Sequence, residues 1–323
     1  MPVELRKGGL HLSGTALSLD ATRKVPLSFV SHAHSDHIAR HERVIATRPT
    51  VELMTHRLGQ LPAALPAPYR RPFEIGPLLL ELFPAGHILG SAQLRITRAD
   101  GHRVVYTGDL NMESSLTAEA AEVVEGDTLI LESTFGHPKF VFPPREQVFA
   151  DVEAWVLKKL EEKVAPILLG YPLGKSQEII KYLGDRGFSL RAHPNIFAVS
   201  QLYRSLGVEL KVRRFDGELG EGEVGVFPPF GRSQAVKRLW PRATAVLTGW
   251  ALEPWAASRY GADVAFPLSD HADFPSLVRY AKATGAEEVI THHGFATELA
   301  EELRREGVFA RPVGKPVQME MGF

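Results

Sequence analysis

Cysteine is absent from the 323 residues, so no disulfide and no thiolate ligand is available, and any metal must be held by nitrogen and oxygen. Nor is there an excess of positive charge: 37 Lys and Arg stand against 38 Asp and Glu, for a net charge of −1. A chain so balanced has no overall basic field to draw in nucleic acid, and a nucleic-acid substrate would need a local basic groove. No apolar run reaches the roughly 18 residues of a membrane-spanning helix. The first ten residues carry charges and two glycines and no apolar segment of the signal-peptide kind. These absences predict a cytoplasmic protein without membrane attachment. The 44% hydrophobic and 23% charged content is that of an ordinary globular protein and excludes disorder, and the length suits a core domain with a smaller appendage.

What is present is a series of short β-type apolar runs at 27–30, 78–83, 104–107 and 128–131. Each ends in polar residues: His32 follows the first, His87 the second, Asp109 the third and Glu132 the fourth. That is how a site built on loops at strand ends reads in sequence. From about Arg145 the spacing turns helical, with Val148, Val152, Trp155, Val156 and Leu160 on one face. A strand at 167–169 and a helix at 176–183 follow, so the middle section reads as an inserted α/β unit. After Phe266 polar clusters resume, first Ser269-Asp270-His271-Ala272-Asp273 and then, past a strand at 289–291, His292-His293-Gly294.

The segment His32-Ala33-His34-Ser35-Asp36-His37 sets three imidazoles and a carboxylate within six residues. Alternate residues His32 and His34 can face one metal while Asp36 and His37 turn to a second, and imidazole with carboxylate suits zinc or manganese. Pro84-Ala85-Gly86-His87-Ile88-Leu89-Gly90-Ser91 adds a histidine between glycines that permit close backbone approach to an ion or phosphate. Gly108-Asp109 adds a carboxylate directly after a strand, able to bridge two cations.

H-x-H-x-D-H, then Gly86-His87, then Gly108-Asp109, resembles the metallo-β-lactamase superfamily. Leu131-Glu132-Ser133-Thr134-Phe135-Gly136, Leu268 to Asp273 and His293-Gly294 resemble its nucleic-acid-processing β-CASP branch, and within it the bacterial ligase-associated DNA exonucleases. The resemblance runs from Asp20 to His293. It implies an α/β (α+β) fold: a four-layer αββα sandwich from residues 1–144 and 266–323, with a smaller α/β cap inserted at 145–265. It implies further that His32, His34 and His87 bind one divalent metal, that Asp36, His37 and His293 bind another, and that Asp109 bridges them. Zinc is the expected ion, with manganese as alternative. Asp20 would support the ligand histidines. Asp36, Glu132 and His271 are the candidate catalytic residues, the last two placed beside the scissile phosphate. Two histidines, His292 and His293, stand where the family pattern has one; His293 is chosen because it directly precedes the glycine. The implied reaction is phosphodiester hydrolysis at DNA ends that leaves a 5′-phosphate and a 3′-hydroxyl, with a DNA ligase as functional partner.

RNA processing is the rival reading, since nothing in these motifs reads a 2′-hydroxyl. A small-molecule hydrolase of lactamase or glyoxalase type would leave Glu132, His271 and the cap without a use. A non-catalytic scaffold would not need every ligand position filled. Gly170-Tyr171-Pro172-Leu173-Gly174-Lys175-Ser176 has three residues between its glycines where a nucleotide-binding P-loop has four. It still opens a predicted helix, where Lys175 and Ser176, with Ser91, are candidates for holding a substrate phosphate. A stretch from Lys211 to Arg242 mixes Arg213, Arg214, Arg232, Lys237 and Arg238 with Phe215, Phe227, Phe230 and Trp240, a composition of phosphate-tracking grooves and of ordinary solvated faces alike. His11, His41, His56, His102, His137 and His193 lie outside any ligand pattern.

Overall fold

A computed structural model describes residues 3–6, 8–229, 236, 239 and 241–314. Phe230, Arg232, Lys237, Arg238 and Trp240 of the basic and aromatic stretch lie outside the described residues. The chain divides into two compact units, the first made of Met1–Ser114, Glu119–Val141 and His271–Phe323, the second of Ser115–Ala118 and Phe142–Asp270.

In the first unit β1 (Val3–Arg6), β2 (Gly9–Leu12), β3 (Leu17–Leu19), β4 (Leu27–Phe29), β5 (Val44–Ala46) and β6 (Ala64–Pro66) form one sheet in that order. A second sheet holds β7 (Phe73–Ile75), β8 (Leu78–Pro84), β9 (Ala92–Thr97), β10 (Arg103–Tyr106) and β11 (Thr128–Glu132), continued past β11 by strands Glu288–His292 and Ala310–Pro312. From β10 outward to Ala310–Pro312 these strands are parallel, so β10, β11 and Glu288–His292 deliver their carboxyl ends to the same end of the sheet.

Neighbouring residues of a strand face opposite sides, and this second sheet is apolar on both. Val104, Tyr106, Ile130 and Ile290 enter a core with Leu12, Leu17, Leu19 and Phe29 of the first sheet. Val105, Leu129, Leu131 and Val289 enter another with Leu277 and Tyr280 of helix Phe274–Ala283 and with Leu299 and Leu303 of helix Ala296–Arg305. Helix Phe274–Ala283 starts where it does because the Asp273 carboxylate accepts from the Ser276 amide at 2.9 Å and Pro275 fits the first turn. Helix Arg48–Leu58, opened by Thr47 and Pro49 and burying Leu53 and Met54, lies along β6. The fold of this unit is α+β, two sheets packed face to face with helices on the outer side of the second.

The second unit has its own parallel sheet, in the order Arg213–Arg214, Ser189–Ala192, Glu223–Phe227, Ala165–Leu169, Arg242–Leu247, Val264–Phe266. Helix Arg145–Glu161 meets helix Lys175–Asp185 through the stacked rings of Phe149 and Tyr182, 4.5 Å apart. Two buried ion pairs sit on this contact. Arg145 pairs with Glu178 and donates to the Ser269 carbonyl at 2.5 Å, while Lys175 pairs with Asp270. Burying four charges is costly unless each is paired and hydrogen-bonded, as these are. Among the described residues no helix is long and apolar enough to cross a membrane.

Candidate metal centre

Most segments of the first unit that the sequence marks for chemistry lie where a strand stops. The His32–His37 run leaves β4, His87 lies past β8, Asp109 past β10, Glu132 ends β11, and His293 directly follows Glu288–His292. The loops bring these side chains within a few ångströms of one another.

Ring nitrogens of His32, His34 and His87 converge, with His34 Nδ1 lying 3.1 Å from His32 Nε2 and 3.0 Å from His87 Nε2. Asp109 Oδ2 completes the set at 3.5 Å from His32 Nε2 and 3.7 Å from His87 Nε2. Zinc–nitrogen bonds of 2.0–2.1 Å put tetrahedral ligands about 3.3 Å apart. The four donor atoms are spaced on either side of that edge, so they fit a tetrahedral ion. The same Asp109 oxygen stands 3.4 Å from His37 Nε2, whose other neighbours are Asp36 Oδ2 at 3.8 Å and the stacked ring of His293 at 5.5 Å. Asp109 thus lies between two donor groups. The Asp36 side chain is 70% exposed, whereas the His32 ring is wholly buried.

The electrostatics answer to so many lone pairs around buried carboxylates. Burial, reinforced by His37, pushes His32 well below the ordinary histidine value, with Asp109 opposing. Burial acts on His37 in the same sense, yet Asp109 and Asp20 outweigh it and hold that ring well above its ordinary value. Asp109 is held well below the usual carboxylate range because His37, His32 and His271 overcome its burial. The carboxylates thus favour positive charge in the site, most strongly at His37.

Asp20 organises this from beneath. It takes the Ser31 amide at 2.6 Å on Oδ1, and on Oδ2 the Ser31 hydroxyl at 2.5 Å, the Tyr106 hydroxyl at 2.8 Å and His37 Nδ1 at 2.8 Å. The Ser31 hydroxyl also meets His32 Nδ1 at 2.9 Å. One carboxylate therefore orients a ring of each donor group. Neither Ser31 nor Tyr106 stands out in the sequence: one is the residue before the histidine run and the other ends β10, and no spacing rule separates them from ordinary core residues.

Glu132 is fully buried, its oxygens accepting from the Leu110 amide at 2.7 Å and the Thr134 amide at 3.2 Å. His271 Nδ1 lies 3.2 and 3.3 Å from its two oxygens and 4.0 Å from Asp109 Oδ2. Nδ1 is thus the ring nitrogen that His271 directs at Glu132. His292 is buried against Tyr106 and burial pushes it well below its ordinary value, while its neighbour His293 is exposed and faces His37.

The three residues singled out for a substrate phosphate have other neighbours. The Ser91 hydroxyl is buried and accepts from the His87 amide at 3.1 Å and the Ile88 amide at 3.2 Å, which holds the turn carrying His87. Lys175 is buried on Asp270, and Ser176 is fully buried at the start of its helix, its hydroxyl close to Gly170. All three are shielded from solvent; Ser91 and Lys175 have protein partners, the lysine charge being met by Asp270, whereas the Ser176 hydroxyl has no hydrogen-bond partner among the described residues. Of the six histidines without a ligand pattern, His11 bonds Ser18, His41 accepts from the Val25 amide, His102 meets Thr128, and His137 and His193 accept from nearby amides.

A crystal structure of a protein of unknown function from Enterococcus faecalis V583 superposes with a TM-score of 0.62 over 90% of this chain and 79% of its own, at 14% identity. That likeness concerns the fold. No family model matches. A protein named probable DNA ligase from Opitutus terrae is 38% identical over 97% of this chain, and RNase aCSPSF2 from Saccharolobus solfataricus is 28% identical over 51% of it. These relatives are consistent with a nuclease of the metallo-β-lactamase superfamily. The segments that resemble its β-CASP branch are those holding Glu132, His271 and His293. The chain spans 31% of the length of the first of these relatives and 39% of the second.

Proposed function

We propose that the chain is a two-metal phosphodiesterase that trims DNA ends and works beside a DNA ligase. The observation that carries this reading is the Glu132–His271 pair standing against Asp109, because a small-ester hydrolase with the same ligands has no evident need of it. His32, His34 and His87 would hold one ion, Asp36, His37 and His293 the other, with Asp109 shared. Divalent ions held there, zinc or manganese, supply charge neutralisation at the phosphoryl oxygens and a lowered pKa for water. The protein's own contribution is orientation by Asp20 and a proton donor. Glu132, fixed by two amides, holds His271 through Nδ1, and Nε2 delivers a proton to the departing 3′-oxygen, a poor leaving group unless protonated.

Similarity to a protein named a DNA ligase, along nearly the whole of this chain and only about a third of that one, supports DNA over RNA and a ligase as the partner. The second reading, RNA processing, is favoured by the name of RNase aCSPSF2. The two part in one assay: purified protein with zinc or manganese, offered end-labelled DNA and RNA of equal sequence. Shortening of the DNA from its ends, with RNA cut poorly, is expected. Equal or faster cleavage of RNA under matched salt and metal would move the protein to the second reading.

A further inference from the structure

Arg57, in the last turn of helix Arg48–Leu58, reaches across to the His32–His37 run and donates from Nη1 to the carbonyl of Ala33 at 2.9 Å. Arg40, three residues past His37, reaches the other way and donates from Nη2 to the carbonyl of Gln60, just past the end of that helix, at 3.1 Å. Both residues are exposed. Among the described residues neither has a carboxylate within ion-pair distance; Asp36 is felt by Arg57 only as a longer-range attraction. A carbonyl fixes a guanidinium without neutralising it, and each group keeps further N–H donors in its planar fork. Each reciprocal tether removes part of the side-chain entropy that a loose surface arginine would lose on gripping an anion.

We propose that Arg57 and Arg40 form a phosphate-holding edge beside the ligand loop, gripping phosphodiesters of a single-stranded substrate next to the one being cut. This deepens the nuclease reading and rests on it. It also answers a difficulty raised by composition, since a chain of net charge −1 needs its cations placed locally to hold a polyanion. The bland role for both arginines is to staple loop to helix, and that role needs a hydrogen-bond donor but no charge.

Glutamine separates the two roles, because it keeps an N–H donor and drops the charge. The measurement is kcat/KM of the metal-loaded chain on end-labelled single-stranded DNA, or on RNA if that is the substrate, across a series of salt concentrations. Each phosphate contact on a single strand contributes about 0.7 to the slope of log affinity against log salt. R57Q is expected to lower that slope by about 0.7 and R40Q/R57Q by about twice as much, with metal content and melting temperature kept. An unchanged slope in the double variant overturns the proposal, as does loss of a metal ion in R57Q, which would make Arg57 a staple of the ligand loop. Failure of the parent chain to act on any oligonucleotide, with metal bound, would instead sink the nuclease reading itself, and this edge with it.

Discussion

His271 sits 18% exposed at the rim of a site whose other histidine nearest Asp109, His37, is almost wholly enclosed. A proton donor must meet both the leaving group and solvent to be recharged, and the partial exposure of His271 allows that. Donation by a positioned group is typically worth about 10²–10⁴-fold. His271→Ala is therefore expected to keep its metal and its affinity for nucleic acid while turnover falls by that order. A nitrophenyl phosphodiester, whose leaving group needs no proton, should recover much of the rate. Metal analysis and the two rates decide it: a missing ion, or the same loss on both substrates, would return His271 to the ligands. Glu132→Gln should give a milder version of the same pattern, since an amide oxygen still accepts from Nδ1 but carries no charge.

At the scale of elements the site depends on turns as much as on ligands. His293 has φ of 63° and Gly294 φ of 48°, two successive residues in the left-handed region, and the Ser133 hydroxyl donates to the carbonyls of His292 at 2.8 Å and His293 at 2.5 Å. A Cβ on Gly294 would lie 2.5 Å from the Ser133 carbonyl oxygen and 2.6 Å from Thr134 Cα, so strain and collision add. Gly294→Ala should cost more than about 2 kcal/mol and lower the metal content, read by denaturant titration and metal analysis. Unaltered stability would show the turn to be dispensable. The runs at 104–107 and 128–131 were legible because strands buried on both faces of a sheet are almost continuously apolar, and those at 27–30 and 78–83 because they too are mostly apolar and stop at polar ligands. β1, β5 and β6 were not, since three or four residues, wholly exposed in β6, carry no period. At Lys175 the sequence gives only a local signal, a glycine-rich helix start, while Asp270, which meets the lysine charge, stands 95 residues away. Ser31 and Tyr106 likewise become functional only through Asp20, a contact the sequence does not spell out.

For the whole molecule, two units with separate cores and one metal centre should not melt alike. Ligands that bind only the folded state stabilise it in proportion to the logarithm of their concentration over Kd, about 4 kcal/mol at a thousandfold excess. In scanning calorimetry, stripping the metal with a chelator is expected to lower the transition of the unit that holds the histidines and to leave the unit built on Phe142–Asp270 nearly where it was. A uniform shift of a single transition would mean that the two fold as one.

The first unit is discontinuous, and this has a bearing on its biosynthesis. Strand Glu288–His292 pairs with β11 over five residues, yet β11 is made more than 150 residues earlier. While the ribosome works through the intervening stretch, β11 stands as the edge of an unfinished sheet, with all five of its residues destined for burial. Such an open apolar edge is what nascent chains aggregate through. The second unit has all its strands in hand before that gap closes. Production should accordingly be limited by the late docking of Glu288–His292 on β11, and a nascent chain stalled near Asp270 would carry a finished second unit while the edge of the first stays exposed.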